Sequence, residues 1–274
     1  MTTYKLQHMG LGGILDQAIS ICKDHFGLLF KIMLILYIPF NLALQLGPLL
    51  LTPQLPAAES LEDTLRNQQL RQEAMFDYWP IIALAGLASM IVVIPVTNAA
   101  VIQAVARLYL GESITAIGAV KHGFNRLGPL IWTSFLMMAA IYGGIILCII
   151  PGIYFAIWFG LSQHVVVLEG LNGPTALGRS RKLVHKDRGK FLALILIMSA
   201  ISVAITWGAF LIPQPHLQAI VTVLLQAVTT ILWTAAGVVF YFSARCGVEN
   251  FDLHYLAAAI GEEPATMDAG PSPM

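Results

Sequence analysis

Residues 129–168 read PLIWTSFLMMAAIYGGIILCIIPGIYFAIWFGLSQHVVVL, forty residues without Asp, Glu, Lys or Arg. A membrane-spanning helix needs about 20 mostly apolar residues, because it must cross roughly 30 Å of hydrocarbon at 1.5 Å per residue. Forty residues are too many for one span and suit two. The Pro151-Gly152 pair in the middle predicts a tight turn, since proline lacks a helix donor and glycine adds flexibility.

The composition of the whole chain is also typical of a membrane protein. Of 274 residues, 57% are hydrophobic and only 11% are charged, whereas soluble proteins carry about 25% charged residues. Lys+Arg and Asp+Glu both number 15, which excludes the basic field expected of a nucleic-acid-binding protein. The three cysteines are scattered without metal-ligand spacing, and we expect them to be buried small apolar residues: Cys22, Cys148 and Cys246.

Apolar stretches before and after this segment raise the count to six spans, so the predicted fold is all-α and polytopic. The predicted spans are residues 27–51, 80–106, 129–149, 152–168, 191–212 and 217–244. They form one integral membrane domain, residues 1–260, with one sizeable outward loop at residues 52–79. Within that loop, Ser60 and Asp63 predict the capped start of a short helix. The tail, residues 261–274, is acidic and rich in Pro and Gly, and is predicted to be disordered.

Basic residues predict the orientation of these spans. With six spans, 13 of the 15 Lys and Arg residues fall on the side of the two termini, and only Arg66 and Arg71 fall on the other. Cytoplasmic segments of membrane proteins are enriched in Lys and Arg. Both termini are therefore predicted to be cytoplasmic, in a multi-pass protein of the bacterial plasma membrane.

Three segments on the predicted cytoplasmic side resemble one another. They are GGILDQAISICKDHFGLLF, ESITAIGAVKHGFNRLGPLI and NGPTALGRSRKLVHKDRGKFLA, aligned on Gly27, Gly128 and Gly189 with one-residue slips. Each predicts a short interfacial helix that leads directly into a span. The predicted architecture is three units of an interfacial helix and a two-helix hairpin. Repeats of this kind occur in scaffolds and in transporters alike.

Four polar residues are predicted to lie within the spans, in the cytoplasmic half of the membrane: Asn98, Gln103, Gln163 and His164. Polar groups at membrane depth are costly and often functional. They predict either a pocket that opens to the cytoplasm or a network of hydrogen bonds that joins helices, each bond worth roughly 0.6 kcal/mol. The sequence leaves both alternatives open.

A second predicted cluster lies at the cytoplasmic ends of the spans. It consists of Glu169, Arg179, Arg181, Lys182, Arg245 and Glu249. Arg245 and Glu249 can pair across one helical turn, and Glu169 can pair with Arg179 or Arg181. Six basic residues between 179 and 190 predict attraction for anionic lipid headgroups of about 1 kcal/mol each. The positive-inside rule alone also accounts for part of this charge.

No motif for catalysis is present in the chain. It contains no GxSxG, HExxH, Walker loop or GxGxxG, and its carboxylates and imidazoles are too scattered for a hydrolytic metal site. We therefore predict a protein that is not an enzyme, with no catalytic residues, no metal and no cofactor.

The strings PGIYFAIWFGLSQHVVVLEGLNGPTALGRSRKLV and YFSARCGVENFDLHYLA resemble a known family. Together with GGILDQAISICKDHFG, they are similar to the membrane domain of some glycerophosphodiester phosphodiesterases and to stand-alone bacterial membrane proteins of the YciC type. The resemblance implies a six-span inner-membrane protein. It does not imply phosphodiesterase activity, which belongs to a separate barrel domain of about 250 residues. The residues on the family pattern are Glu169, Ala176, Leu177, Arg179, Ser180, Arg245, Glu249 and Asp252.

These features predict a non-enzymatic inner-membrane protein that binds membrane lipids, including anionic headgroups, or a membrane-protein partner. The alternative is a transporter of a small amphiphile or lipid that uses Asn98, Gln163, His164 and Glu169. A transporter needs a cavity that reaches the middle of the membrane, and this feature distinguishes the two hypotheses.

Overall fold

The computed structural model of the protein describes residues 7–51 and 60–249, and no strand occurs within these ranges. The helices are α1 (Leu11–Asp24), α2 (Phe26–Ile35), α3 (Tyr37–Leu51), α4 (Leu61–Ala88), α5 (Ile94–Tyr109), α6 (Ala116–Asn125), α7 (Leu127–Leu147), α8 (Ile149–Phe159), α9 (Ser162–Leu168), α10 (Gly173–Phe210) and α11 (Pro215–Glu249). A π-helical turn, Ser89–Val93, connects α4 to α5. The predicted tail lies outside the described residues, as does Asp252.

Five helical stretches are long and apolar enough to cross a membrane. They are Tyr78–Tyr109, Leu127–Leu147, Ile149–Leu168, Gly173–Phe210 and Pro215–Glu249. The α2–α3 pair, bent by 50°, makes a sixth if it is counted as one span. The predicted all-helical fold is therefore confirmed for the described residues, and five or six of its helical stretches are compatible with the spans of a multi-pass membrane protein.

Helix α11 is the centre of the bundle. It packs against α1, α2, α3, α5 and α10. Of its apolar stretch, 56% is buried, compared with 17–33% in the other four stretches. The hydrophobic core therefore surrounds α11, while the outer helices turn large apolar side chains outward, as lipid-facing helices do.

The two ends of α11 define the two ends of the bundle, which we call the Glu249 end and the Pro215 end. The segment just before α1 lies at the Glu249 end, where the backbone amide of Met9 donates to Ser243 Oγ at 2.9 Å. Helix α3 finishes at the Pro215 end, where Pro48 lines a cavity together with Pro215. The bent pair α2–α3 thus runs from the middle of α11, where Phe26 lines a cavity with Val228 and Ile231, to the Pro215 end.

The same backbone break precedes three of the long apolar segments. The φ/ψ angles are −121°/21° at His25, −101°/5° at Arg126 and −111°/25° at Asp187. In the first two cases the break separates two helices, whereas Asp187 is a kink inside α10. Each break lies two residues before one of the glycines aligned in the repeat: Gly27, Gly128 and Gly189.

The turn between the third and fourth predicted spans lies at Cys148, not at Pro151-Gly152. Cys148 is extended, and α8 begins directly after it. Pro151 therefore occupies the first turn of α8, where a backbone N–H has no acceptor within the helix and proline is tolerated. Gly152 has a different role, because a Cβ there would lie 2.9 Å from the backbone nitrogen of Ile145. The glycine lets α7 and α8 pack closely.

The predicted outward loop at 52–79 is shorter than expected. The cap is confirmed, since the amide of Asp63 donates to Ser60 Oγ at 3.1 Å. The helix that it starts continues past Pro80 into the second predicted span. Its polar half is rich in Glu, Gln, Arg and Ala, which favour helix, so it does not end at the membrane boundary. Residues 52–59 lie outside the described part of the chain.

Candidate functional site

The ionic cluster at the Glu249 end depends on a chain reversal after α9. Glu169 ends that helix, and Gly170 follows with φ +74°. A positive φ is strained for residues with a Cβ, so glycine suits this position. The reversal leads into α10, whose second turn brings Arg179 back to Glu169.

Two carboxylates and two guanidiniums form one network here. Arg179 Nε donates to Glu169 Oε1 and Oε2 at 3.0 and 2.8 Å, and its Nη1 donates to Glu249. Arg245 Nε donates to the other oxygen of Glu249 at 3.0 Å. The Tyr241 hydroxyl donates to Glu169 Oε1 at 2.7 Å. The network therefore connects the end of α9 to α10 and α11.

Opposite charges balance within this network of two carboxylates and two guanidiniums. The four charged side chains are only 16–27% exposed. The predicted pairs Glu169–Arg179 and Arg245–Glu249 are confirmed. Sequence reasoning missed the Arg179–Glu249 contact because the two residues are 70 positions apart. It missed the Tyr241 hydroxyl for the same reason.

Several of the six basic residues predicted to bind lipid have partners within the bundle. Arg179 belongs to the network, Lys186 donates to the Gly247 carbonyl at 3.0 Å, and Lys190 pairs with Asp187 at 2.8 Å. The remaining three are exposed on α10: Arg181, Lys182 and Arg188. Arg181 also lies over the Trp158 ring, 4.3 Å from its centroid. Three of the six basic residues that were predicted to attract anionic headgroups are therefore available to them.

Asp187, at the kink of α10, also contacts the start of the chain. His8 Nε2 lies 2.8 Å from Asp187 Oδ2. Together with the Met9–Ser243 hydrogen bond, this contact fixes the segment before α1 to α10 and α11. The sequence carried no signal for it, because the two residues are 179 positions apart.

Three of the four polar residues predicted within the spans line one cavity. It has a volume of about 350 Å³, and we call it the His164 cavity. Asn98 from α5 meets Gln163 and His164 from α9 there, among mostly apolar side chains of α7, α8, α10 and α11. Glu169, the fourth residue of the transport hypothesis, is not part of the lining and belongs to the ionic network.

Ser180 positions the helix that carries Gln163 and His164. The chain breaks between α8 and α9, and this break frees backbone groups. Ser180 Oγ accepts from the Leu161 amide at 3.2 Å and donates to the Trp158 carbonyl at 2.7 Å. A residue of the family pattern thereby stabilises the turn that aims α9 at the cavity.

His164 is buried and lacks the hydrogen bonds that a buried imidazole normally makes. His164 is only 7% exposed, and neither nitrogen of its ring has a hydrogen-bond partner among the described residues. The Thr234 backbone approaches the ring without reaching hydrogen-bond geometry. The ring packs directly on Gly237, where a Cβ would lie 2.5 Å from Nε2. A buried unsatisfied polar group costs about 1–3 kcal/mol, which a ligand in the cavity can recover.

Gln103 does not join the other three polar residues. It lines a separate cavity of about 400 Å³ with Arg107 and His122. Gln103 follows Asn98 by five positions on α5, which is about 140° around a helix of 3.6 residues per turn. The expectation of one shared polar cluster is therefore wrong for Gln103.

Two more cavities continue from the His164 cavity along α11. Asn98 and Trp233 also line a cavity of about 450 Å³, which we call the hydroxyl cavity. Thr206 and Gln226 are shared by that cavity and a third one of about 430 Å³ at the Pro215 end, the end cavity. The three cavities form a row that runs from the level of His164 to the Pro215 end of the bundle.

No group of three or more His, Cys, Asp or Glu side chains suited to hold a metal ion occurs in residues 7–51 and 60–249. Cys22, Cys148 and Cys246 form no disulfide, and the expectation of burial is wrong for Cys148, which is exposed, whereas Cys246 is buried. No protein-family model, curated protein or solved structure matches the chain.

Proposed function

We propose that this chain is a bacterial inner-membrane protein with six spans and cytoplasmic termini. The combined length and hydropathy of the bent α2–α3 pair support counting that pair as a span. The basic residues of α6, of residues 179–190 and of the last turn of α11 lie at the Glu249 end, as expected of the cytoplasmic side. The three matching breaks support an architecture of three helix-plus-hairpin units. The bacterial location rests on the resemblance to YciC-type proteins.

Within this architecture, the proposed function is the binding of a small amphiphile or lipid inside the bundle, without catalysis. The observation that carries the proposal is the unpartnered imidazole of His164 beside a cavity of about 350 Å³. Ligand sites are concave and mostly apolar, with a few polar groups that orient the ligand. The His164 cavity has this character, and its surroundings give access to lipids.

Lipid retention tests this function. The protein is extracted into polymer-bounded native discs, and co-purified lipids are quantified by mass spectrometry. We expect His164→Ala to lose a lipid species that the wild type retains. His216→Ala is the matched control, because His216 is exposed at the start of α11 and should leave retention unchanged. Identical lipid profiles for all three proteins, measured on folded samples, would contradict the proposal.

Transport of that amphiphile is the second candidate function, and the row of three cavities favours it. A carrier needs polar surface that leads away from its binding site, and the shared lining residues Asn98, Trp233, Thr206 and Gln226 provide a continuous one. Counterflow in proteoliposomes tests it. Counterflow that is lost in His164→Ala supports transport, whereas ligand binding without counterflow restricts the function to binding.

Anionic headgroups at the Glu249 end are proposed as a further lipid contact, now centred on Arg181, Lys182 and Arg188. Each cation near an anionic surface contributes about 1 kcal/mol. Replacing the three by Gln should weaken the enrichment of phosphatidylglycerol and cardiolipin around the purified protein. The same three replacements in a pull-down from native membranes test whether this surface also binds a protein partner.

A further inference from the structure

Five hydroxyl groups along the row of cavities share one hydrogen-bonding arrangement. Each donates to the carbonyl four residues earlier in its own helix, at 2.7–2.9 Å. The five lie on α10 and α11 and line the hydroxyl cavity or the end cavity: Ser202, Thr206, Thr222, Thr229 and Thr230.

This arrangement turns one wall of the row into a set of acceptors. A hydroxyl has one donor and two acceptor lone pairs. Because the proton of each hydroxyl is used within its helix, the lone pairs are what it offers to the cavity. Thr230 is also hydrogen-bonded to the side chain of Tyr37, which lines the same cavity. Such a wall complements a ligand that carries several O–H donors.

Ionised side chains are absent from the lining of these three cavities as far as the structure describes it. A charged headgroup that leaves water without a counter-charge pays a penalty far above that of a hydroxyl. The carboxylates and guanidiniums at the Glu249 end neutralise one another in the ionic network, and Lys23 lines a different cavity with Val228 and Ile231. The row therefore disfavours anionic and cationic ligands alike.

The row of cavities can also accommodate an acyl chain. The His164 cavity is lined mainly by apolar side chains such as Ile102, Met137 and Leu194. Trp233, on the wall between the first two cavities, is 40% exposed, so the row is open toward the outside of the bundle at that point. A headgroup can occupy the hydroxyl cavity while its tail leaves past Trp233.

We propose that the ligand of this bundle is an uncharged amphiphile with a polyol headgroup, of the kind found in acylglycerols, bound through the acceptor wall of α10 and α11. This inference rests on the proposed function and names the class of its ligand.

Three probes with the same tail test the ligand class: monooleoylglycerol, oleate and oleylamine. The full chain is purified in an amine-oxide detergent, because maltoside headgroups would compete, and is moved to lipid discs for titration by native mass spectrometry. We expect monooleoylglycerol to bind at least tenfold more tightly than either charged probe. Equal or tighter binding of oleate or oleylamine would overturn the inference.

The variant Thr229→Val/Thr230→Val tests the acceptor wall, because valine keeps the shape of threonine and removes the oxygen. We expect about a tenfold loss of monooleoylglycerol affinity and no change for the charged probes. The matched control is Thr97→Val, since Thr97 is buried, donates to the Val93 carbonyl at 2.7 Å in the same way and lines none of the three cavities. Thermal unfolding confirms that both variants are folded.

The outcomes separate this inference from the proposed function. If binding depends on His164 and not on the two threonines, the inference fails and the proposed function stands. If no probe binds and lipid retention is the same in the wild type and His164→Ala, the proposed function fails as well. A row that holds water only would give this second result.

Discussion

Arg179 is the residue on which the ionic cluster depends, because it contacts both carboxylates. Replacing it by Gln leaves Glu169 and Glu249 partly buried without their shared cation, and breaking a buried pair in this way costs about 3 kcal/mol. Arg245 holds a single oxygen of Glu249, so Arg245→Gln should cost about 1 kcal/mol. Thermal unfolding of the purified variants measures the order.

Lys182→Gln is the control for this comparison, since Lys182 is exposed on α10 and should change the unfolding free energy by less than about 0.5 kcal/mol. Equal losses for Arg179→Gln and Lys182→Gln would show that the network does not stabilise the fold.

His122, in α6 beside the separate Gln103 cavity, predicts a pH dependence of stability. Burial lowers the pKa of His122 from its usual 6.5, the nearby cations of Arg126 and Arg107 act in the same direction, and the Val167 backbone opposes them. The unfolded chain therefore takes up a proton near pH 6.5 that the folded chain takes up only at lower pH. The resulting loss of stability sets in as the pH falls through about 6.5.

The variant His122→Gln isolates this contribution, because the remaining histidines are unchanged. We expect the melting temperature of the wild type to fall more than that of His122→Gln between about pH 7.5 and about pH 5.5. A parallel fall in both proteins would mean that His122 carries none of the pH dependence.

At this scale, sequence reasoning succeeded where partners are close in the chain. Arg245 and Glu249 are one helical turn apart, and Glu169 and Arg179 are separated by a single loop. It could not find the contact between His8 and Asp187, because nothing local indicates which helices become neighbours. Nor could it separate Gln103 from Asn98 without knowing which face of α5 is turned toward α11.

The α7–α8 hairpin depends on one glycine of an adjacent pair. A Cβ at Gly144 would lie 2.8 Å from the Phe155 ring and 2.9 Å from the backbone nitrogen of Gly152, whereas a Cβ at Gly143 would meet nothing within 4 Å. Gly144→Ala should therefore force the helices apart and cost about 2 kcal/mol. Gly143→Ala, in the same helix, should be neutral or slightly stabilising. Thermal unfolding in detergent compares the two, and similar melting temperatures would refute the close packing.

Elements of the fold were largely predictable because a long apolar run has few alternatives in a membrane. The repeat alignment also located three backbone breaks, each two residues before the aligned glycine. Boundaries were less predictable where one residue type has two uses. Pro151 is typical of a turn and equally suits the first turn of a helix. The polar residues after Ser60 are typical of a loop, and in the structure they extend a span.

Native cysteines allow a test of the whole topology. Cys148 is exposed at the turn between α7 and α8, at the end of the bundle opposite Glu249. With Cys22 and Cys246 replaced by Ala, an impermeant maleimide should label Cys148 in intact spheroplasts. A second variant carries Cys148→Ala and Lys182→Cys, so that its single cysteine is at position 182. This cysteine should be labelled only after the membrane is permeabilised. Labelling of both positions from the same side would contradict the proposed orientation.

The all-helical class of the molecule could be predicted from the length of its apolar stretches, whereas the orientation indicated by Lys and Arg stays a prediction. The row of cavities could not, because it is formed by side chains of α3, α5 and α7 to α11 that are far apart in the chain. The threonines of α11 recur at helical spacing and are common in membrane helices for packing alone. Only the arrangement of helices around them shows that Thr222, Thr229 and Thr230 line connected cavities.

The central position of α11 has a consequence for biogenesis. Helix α11 is the last of the described helices to leave the ribosome. Until it inserts, the earlier spans lie in the bilayer with the surfaces that later pack against α11 uncovered. The first segment of the chain, through Met9, waits longest, since its contact at Ser243 is 234 residues away. A nascent chain that stalls in the α10–α11 connection therefore lacks the central helix of its core, and we expect membrane proteases to degrade it. A mutation that impairs insertion of α11 should accordingly lower the amount of protein in the membrane before it alters ligand binding.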